Sequence, residues 1–169
     1  QGVRLWNVAE KKDEATLPLK SGFVRSVAFS PDGTVLAAGS YQAVTLWDFE
    51  TREVKQTLKG HRAYVGAMAF SSDGKWLGTG SEDETARIWK LPEGTEVTKF
   101  ERHRLPVNAI AFSPTEPLVA TAAGDDTRTT QPGQVLLWEI ETGKLKLTFP
   151  EHDKSARCVA FSPDGKRLA

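Results

Sequence analysis

Apolar residues come in short runs that alternate with polar positions and are broken by turn residues, the period of strands rather than helices. "VRSVAFS", "VGAMAFS", "VNAIAFS" and "RCVAFS" predict one strand four times over. The turn signals "PDG", "SDG", "PTEP" and "PDG" follow, and Asp-Gly in three of them suits the positive backbone angle of a tight hairpin. A second strand is predicted in "TVLAAGS", "KWLGTGS", "PLVATAAG" and "KRLA". A third falls in "AVTLWD", "TARIWK", "QVLLWE" and, at the start of the chain, "GVRLWN". More polar runs, "EVKQTL", "EVTKF", "KLKLTF" and "ATLPL", supply a fourth. These strands are lettered a to d in repeat order.

The period is fixed by aromatic residues. Trp6, Trp47, Trp89 and Trp138 each precede the next of Phe29, Phe70, Phe112 and Phe161 by 23 residues. From Phe to the following Trp the spacing is 18, 19 and then 26, so the variation in length lies on that side of the repeat. A unit of four short strands, one of them carrying a Trp, recurring about every 40 residues, predicts an all-β fold of propeller blades.

The units resemble the blades of WD-repeat β-propellers, and the resemblance covers essentially the whole chain. It rests on Gly60-His61, "AFSPDG" at 28 to 33 and 160 to 165, "TGSEDETARIW" at 79 to 89, and the dipeptide Trp47-Asp48. The chain departs from the family pattern at Trp6-Asn7, Trp89-Lys90 and Trp138-Glu139, and in the first copy Lys20 stands in place of the histidine. The resemblance implies four-stranded antiparallel blades with approximate bounds 21–60, 61–102 and 103–151, flanked by partial blades at 1–20 and 152–169. It begins in strand c and stops inside strand b. Sixteen strands, about four blade-equivalents, are expected if the two ends share a blade. Three assemblies follow from that: a segment of a larger ring, half of a ring made by two copies, or a closed four-bladed ring. The missing initial Met points to an excerpt or a processed chain.

Composition narrows the function classes. Lys plus Arg equal Asp plus Glu at 22 each, so no net charge draws the chain to nucleic acid or an anionic membrane. No apolar run approaches a membrane helix. Cys158 is the only cysteine, which forbids an intrachain disulfide and points to a reducing, cytoplasmic setting. Its apolar neighbours predict a buried structural thiol.

The polar residues carry the question of chemistry. His61, Thr79, Asp83 and Trp89 sit where the family has a structural tetrad. Asp83 accepts from one imidazole nitrogen, the other nitrogen donates to Thr79, and the hydroxyl aligns with the indole. The resemblance places His103, Thr121, Asp125 and Trp138 likewise, with the same 18- and 4-residue intervals from His to hydroxyl to acid. His, Asp and a hydroxyl also compose a nucleophilic triad, but an active site needs one assembly, whereas a structural lock is wanted in every blade. The first unit lacks the lock, with Lys20, Ala38 and "SYQA" in its places. Neither a phosphate loop, a dinucleotide fingerprint nor a zinc spacing occurs, so no enzyme, metal or cofactor is expected.

What remains is binding. The family arrangement puts the d–a and b–c loops on one face, together with the insertion "GDDTRTTQPGQ" at 124 to 134. Candidate contacts there are Phe23, Tyr64, Arg62, Arg104, Glu82, Asp126 and Arg128. The expected role is a non-catalytic scaffold for a protein or peptide partner. The alternative is a regulatory segment of a larger enzyme whose catalytic domain lies elsewhere.

Overall fold

A computed structural model describes residues 2–19, 22–127, 131–150 and 152–169. Among these, thirteen strands form antiparallel sheets and no helix occurs. β1 (Gly2–Asn7) pairs with β2 (Lys12–Pro18). A seven-stranded sheet follows in chain order: β3 (Ser26–Phe29), β4 (Val35–Gly39), β5 (Tyr41–Asp48), β6 (Val54–Phe70), β7 (Trp76–Ser81), β8 (Ala86–Lys90) and β9 (Thr95–Phe100). A four-stranded sheet closes the series with β10 (Val107–Phe112), β11 (Leu118–Ala123), β12 (Gln134–Glu139) and β13 (Leu145–Thr148).

The a–b turns show how the sequence sets its hairpins. Ser30 Oγ donates to Asp32 Oδ1 at 2.6 Å, Thr34 N donates to the same oxygen at 3.0 Å, and Val35 N donates back to Ser30 Oγ at 2.9 Å. Gly33 closes the turn at φ 72°, a left-handed angle that costs a glycine nothing. The same bonds recur around Ser71 and Asp73 and around Ser162 and Asp164.

The expected boundary at residue 60 is a seam rather than a gap. Strand d of one unit and strand a of the next run on as β6, whose first half pairs with β5 and second half with β7. Gly60, at φ 155°, lets the backbone stay extended through the crossing. A side chain there would meet Arg87, since a Cβ would stand 2.6 Å from its Nη1. Arg87 in turn donates from Nη2 to Gly60 O at 2.7 Å and pairs through Nη1 with Glu96. This merger removes one strand from the sixteen expected. The last two shrink to a single bridge, Phe161 to Leu168, with Ala160 and Ala169 exchanging backbone bonds at 2.9 and 3.0 Å.

The core is a row of interfaces between successive units. β1 and β2 lay Val3, Leu5 and Leu17 against Leu36, Ala38 and Trp47. Val44, Leu46 and Leu58 meet Val65, Leu77 and Trp89. Ile88 and Phe100 meet Val107, Ile110 and Trp138, with the Phe100 and Trp138 rings stacked at 4.6 Å. Each fully buried aliphatic side chain adds about 1.5–3 kcal/mol, so the units hold one another up. Among the described residues no strand pairing joins β1 to the segment after β13, and the sheets do not close into a ring.

Burial of Cys158 is not what the structure shows: the thiol is exposed. The same position in earlier units is covered by the following unit. Ser26 Oγ, for example, donates to Val65 O at 2.9 Å, and Ala67 packs with Val107 and Ile110. No further unit follows Cys158 in these 169 residues.

Candidate protein-interaction face

Backbone bonds gather the d–a and b–c loops on one side. Val65 N donates to Ser40 O at 3.0 Å, Glu82 N to Tyr64 O at 3.0 Å, and Gly124 N to Pro106 O at 3.0 Å. Gln42 Nε2 adds a bond to Arg62 O at 3.1 Å.

In the second unit four side chains meet beneath this face. Asp83 Oδ2 lies 3.0 Å from His61 Nδ1, Thr79 Oγ1 lies 2.8 Å from His61 Nε2, and Trp89 Nε1 donates to Thr79 Oγ1 at 2.9 Å. An indole N–H only donates, so Thr79 Oγ1 is the acceptor for Trp89. His61 Nδ1 faces the Asp83 carboxylate as donor, and the direction of the His61 Nε2 to Thr79 bond follows the ring tautomer. Burial works against an ionised Asp83, but bonds from His61, Thr85 and the Arg62 N–H outweigh it and hold the carboxyl well below its usual range. Thr79 has no solvent exposure and His61 is buried, so the hydroxyl reaches no substrate.

The third unit keeps half of this arrangement. His103 Nε2 lies 2.6 Å from Thr121 Oγ1, and Trp138 Nε1 donates to Thr121 Oγ1 at 2.8 Å. Asp125 does not join them as its spacing suggests: its Oδ1 accepts from Thr127 N at 2.9 Å and Thr127 Oγ1 at 2.6 Å. Gln134, beyond the insertion, takes over one of the acid's duties, accepting from Arg104 N at 3.1 Å where Asp83 accepts from Arg62 N at 2.8 Å. His103 Nδ1 is left without a hydrogen-bond partner among the described residues. Burial pushes this imidazole down to about 4, with the nearby Gln134 amide opposing.

The first unit has no such network in its described part. Ala38 offers no hydroxyl, and the fully buried Trp47 Nε1 has no acceptor. Lys20 lies outside the described residues. His152 of the last unit is exposed, and its backbone forms a bridge to Gly133.

The rim of the face carries the candidate contacts. Phe23 is 63% exposed, and Arg62, Glu82, Arg104 and Asp126 are also exposed. Asp126 pairs with Arg157, which ties the insertion to the next unit, while Arg128 lies outside the described residues. Tyr64 is half-buried. Its ring meets Tyr41 edge-on at 5.2 Å, and the Arg25 guanidinium lies over it at 4.8 Å. Tyr41, itself 49% exposed, and Arg25 escaped the sequence reading. The signal for Tyr41 was "SYQA" itself: an aromatic where the other units carry an acidic turn.

Residues 12–48, 52–90, 94–128 and 143–169 match the family described as WD domain, G-beta repeat. The chain belongs to the WD-repeat family. Several WD-repeat relatives match within it. A eukaryotic translation initiation factor 3 subunit I from Scheffersomyces stipitis is 36% identical over 88 residues, 52% of this chain and 23% of that protein. A Protein LST8 homolog from Drosophila melanogaster is 33% identical over 92 residues, 52% of this chain and 26% of the relative. A Lissencephaly-1 homolog from Caenorhabditis briggsae is 32% identical over 78 residues, 46% of this chain and 18% of the relative. The matched part of the WD-repeat chain thus corresponds to about a quarter or less of these proteins. No helix among the described residues is long and apolar enough to cross a membrane.

Proposed function

We propose that this WD-repeat chain is a non-catalytic scaffold, resident in the cytoplasm, that binds a protein or peptide partner on the face bearing the d–a and b–c loops. The observation that carries this is the group of Tyr41, Tyr64 and Arg25, the guanidinium laid over the Tyr64 ring, with exposed Phe23 two residues before Arg25 in the chain. Tyr and Arg are enriched where interface energy concentrates, and the contacts of Tyr64 with Tyr41 and Arg25 lower the entropy lost on binding. Below the patch the polar networks act as structural locks, since Thr79 and Thr121 are fully buried. The blades are 21–60, 61–102 and 103–151, with part-blades at either end. The relative that is by name a subunit of an initiation factor supports a role within an assembly.

The test is partner capture by the chain in parallel with Phe23→Ala, Tyr64→Ala and a deletion of 126–132, each first shown to melt like the parent. Loss of capture in the aromatic variants is expected. Unchanged capture in all three moves the binding surface off this face.

A further inference from the structure

The opposite face, where the a–b and c–d turns emerge, holds a cleft between the second and third units with a volume of about 340 Å³. Trp76, Phe112 and Ile140 form its apolar wall, and Asp73, Glu116 and Glu141 stand among the residues that line it. No basic side chain does.

The carboxylates are not equivalent. Asp73 is occupied, accepting from Ser71 Oγ at 2.7 Å and Lys75 N at 3.1 Å and pairing with Lys75 Nζ at 3.2 Å. Glu116 and Glu141 have no ion-pair partner among the described residues. The backbone fixes both nearby, because Ile140 N donates to Pro117 O at 3.1 Å and Thr98 Oγ1 donates to Ile140 O at 2.7 Å. Two exposed glutamates therefore stand on adjoining backbone among the residues lining a cleft walled by Trp76, Phe112 and Ile140, with no basic side chain in that lining.

The chain supplies its own control. The cleft in the same place between the first and second units, about 270 Å³, is lined by Lys55 and Lys75 as well as Asp32 and Asp73. Val35 stands there where Trp76 stands in the next cleft, both one residue before the leucine that pairs with the strand-a phenylalanine. Trp76 is also the one tryptophan outside the repeat. Both clefts have apolar walls, the neighbour's formed by Val35, Leu46, Phe70 and Leu91, but a tryptophan and negative charge without a lysine coincide only in the cleft between the second and third units.

We propose that the cleft between the second and third units receives a cationic side chain, arginine or lysine, from a protein partner. The charged head sits between Glu116 and Glu141, where hydrogen bonds to carboxylate are strong, and the aliphatic stem lies along Trp76, Phe112 and Ile140. This surface lies opposite the aromatic patch, so a scaffold built this way engages two segments at once, and neither site depends on the other.

The probe is N-acetyl-arginine amide, titrated into the nitrogen-15-labelled 169-residue chain, with N-acetyl-citrulline amide as its uncharged isostere. The Trp76 indole N–H and the Thr115, Glu116 and Glu141 amides are followed, the indole assigned with Trp76→Val. Saturable shifts confined to these signals with arginine, and roughly tenfold weaker binding of citrulline, are expected. Glu116→Gln with Glu141→Gln brings arginine down to the citrulline level. Trp76→Val, which installs the residue found at position 35, weakens arginine binding with the fold kept. Equal binding of the two probes, insensitivity to the paired glutamine variant, or shifts spread over the surface overturns the proposal.

Discussion

Among the described residues three buried nitrogens, Trp47 Nε1, Arg87 Nε and His103 Nδ1, have no hydrogen-bond partner, and the first can be corrected and the last titrated. Ala38 occupies the place of Thr79 and Thr121, so Ala38→Thr gives Trp47 the acceptor its counterparts have. A gain of about 1 kcal/mol is expected, seen as a higher denaturant midpoint with an unchanged slope. His103 is pushed from 6.5 down to about 4 by burial, so between those values the unfolded chain binds a proton that the folded chain refuses. Stability from this group is complete above about pH 6.5, falls as the pH drops, and by about pH 4 has lost up to about 3 kcal/mol. Unfolding curves across this range, compared with His103→Gln, will show a steeper slope for the parent. Asp83 acts lower. Its carboxyl is held below its ordinary 3.8, so its contribution persists above that value and is lost as the pH falls further. Asp83→Ala removes the acceptor for His61 and for the Arg62 N–H, and a loss of about 1–3 kcal/mol is expected; an unchanged melting temperature would refute the lock.

At the scale of elements, β6 is the feature the sequence concealed. Its apolar alternation breaks at "KGHR", which has the composition of a loop, and only the extended backbone at Gly60 carries the strand across. Gly60→Ala drives a methyl into Arg87, disturbing its bonds to Gly60 O and to Glu96. A loss of about 1–3 kcal/mol is expected, with faster amide exchange on both halves of β6. The hairpins were legible because Ser, Asp and Gly specify their turns by local bonding. The third network was half legible: the interval from Thr121 to Asp125 matches that from Thr79 to Asp83, yet seven extra residues before Trp138 change what the loop does with the acid. Spacing upstream of an insertion could not reveal that Gln134, downstream of it, would take up the Arg104 N–H.

Across the whole molecule the repeat fixed which faces touch, since each unit packs on the next through the same strands. It did not fix what lies on the outer units. Trp47, Trp89 and Trp138 are buried while Trp6 is 58% exposed, and Val27 and Phe29 are 53% and 50% exposed because β1 and β2 cover only β4 and β5. Cys158 was misjudged for the same reason: its neighbours in sequence are apolar, but the cover for its position comes from another unit. Exposed apolar sheet surface promotes association. Sedimentation of the 169-residue chain is therefore expected to show concentration-dependent self-association that Val27→Lys with Phe29→Glu reduces.

The uninterrupted passage through Gly60 also bears on how such a chain can lengthen over generations. A strand that runs through two successive units has no slack in which added residues can accumulate, and the Trp47-to-Phe70 interval that contains it is 23 residues, as in the other copies. The only length change among the copies lies on the other side of the repeat. Evolution, or an engineer grafting a foreign peptide, will find room between residues 124 and 134 and none at residue 60.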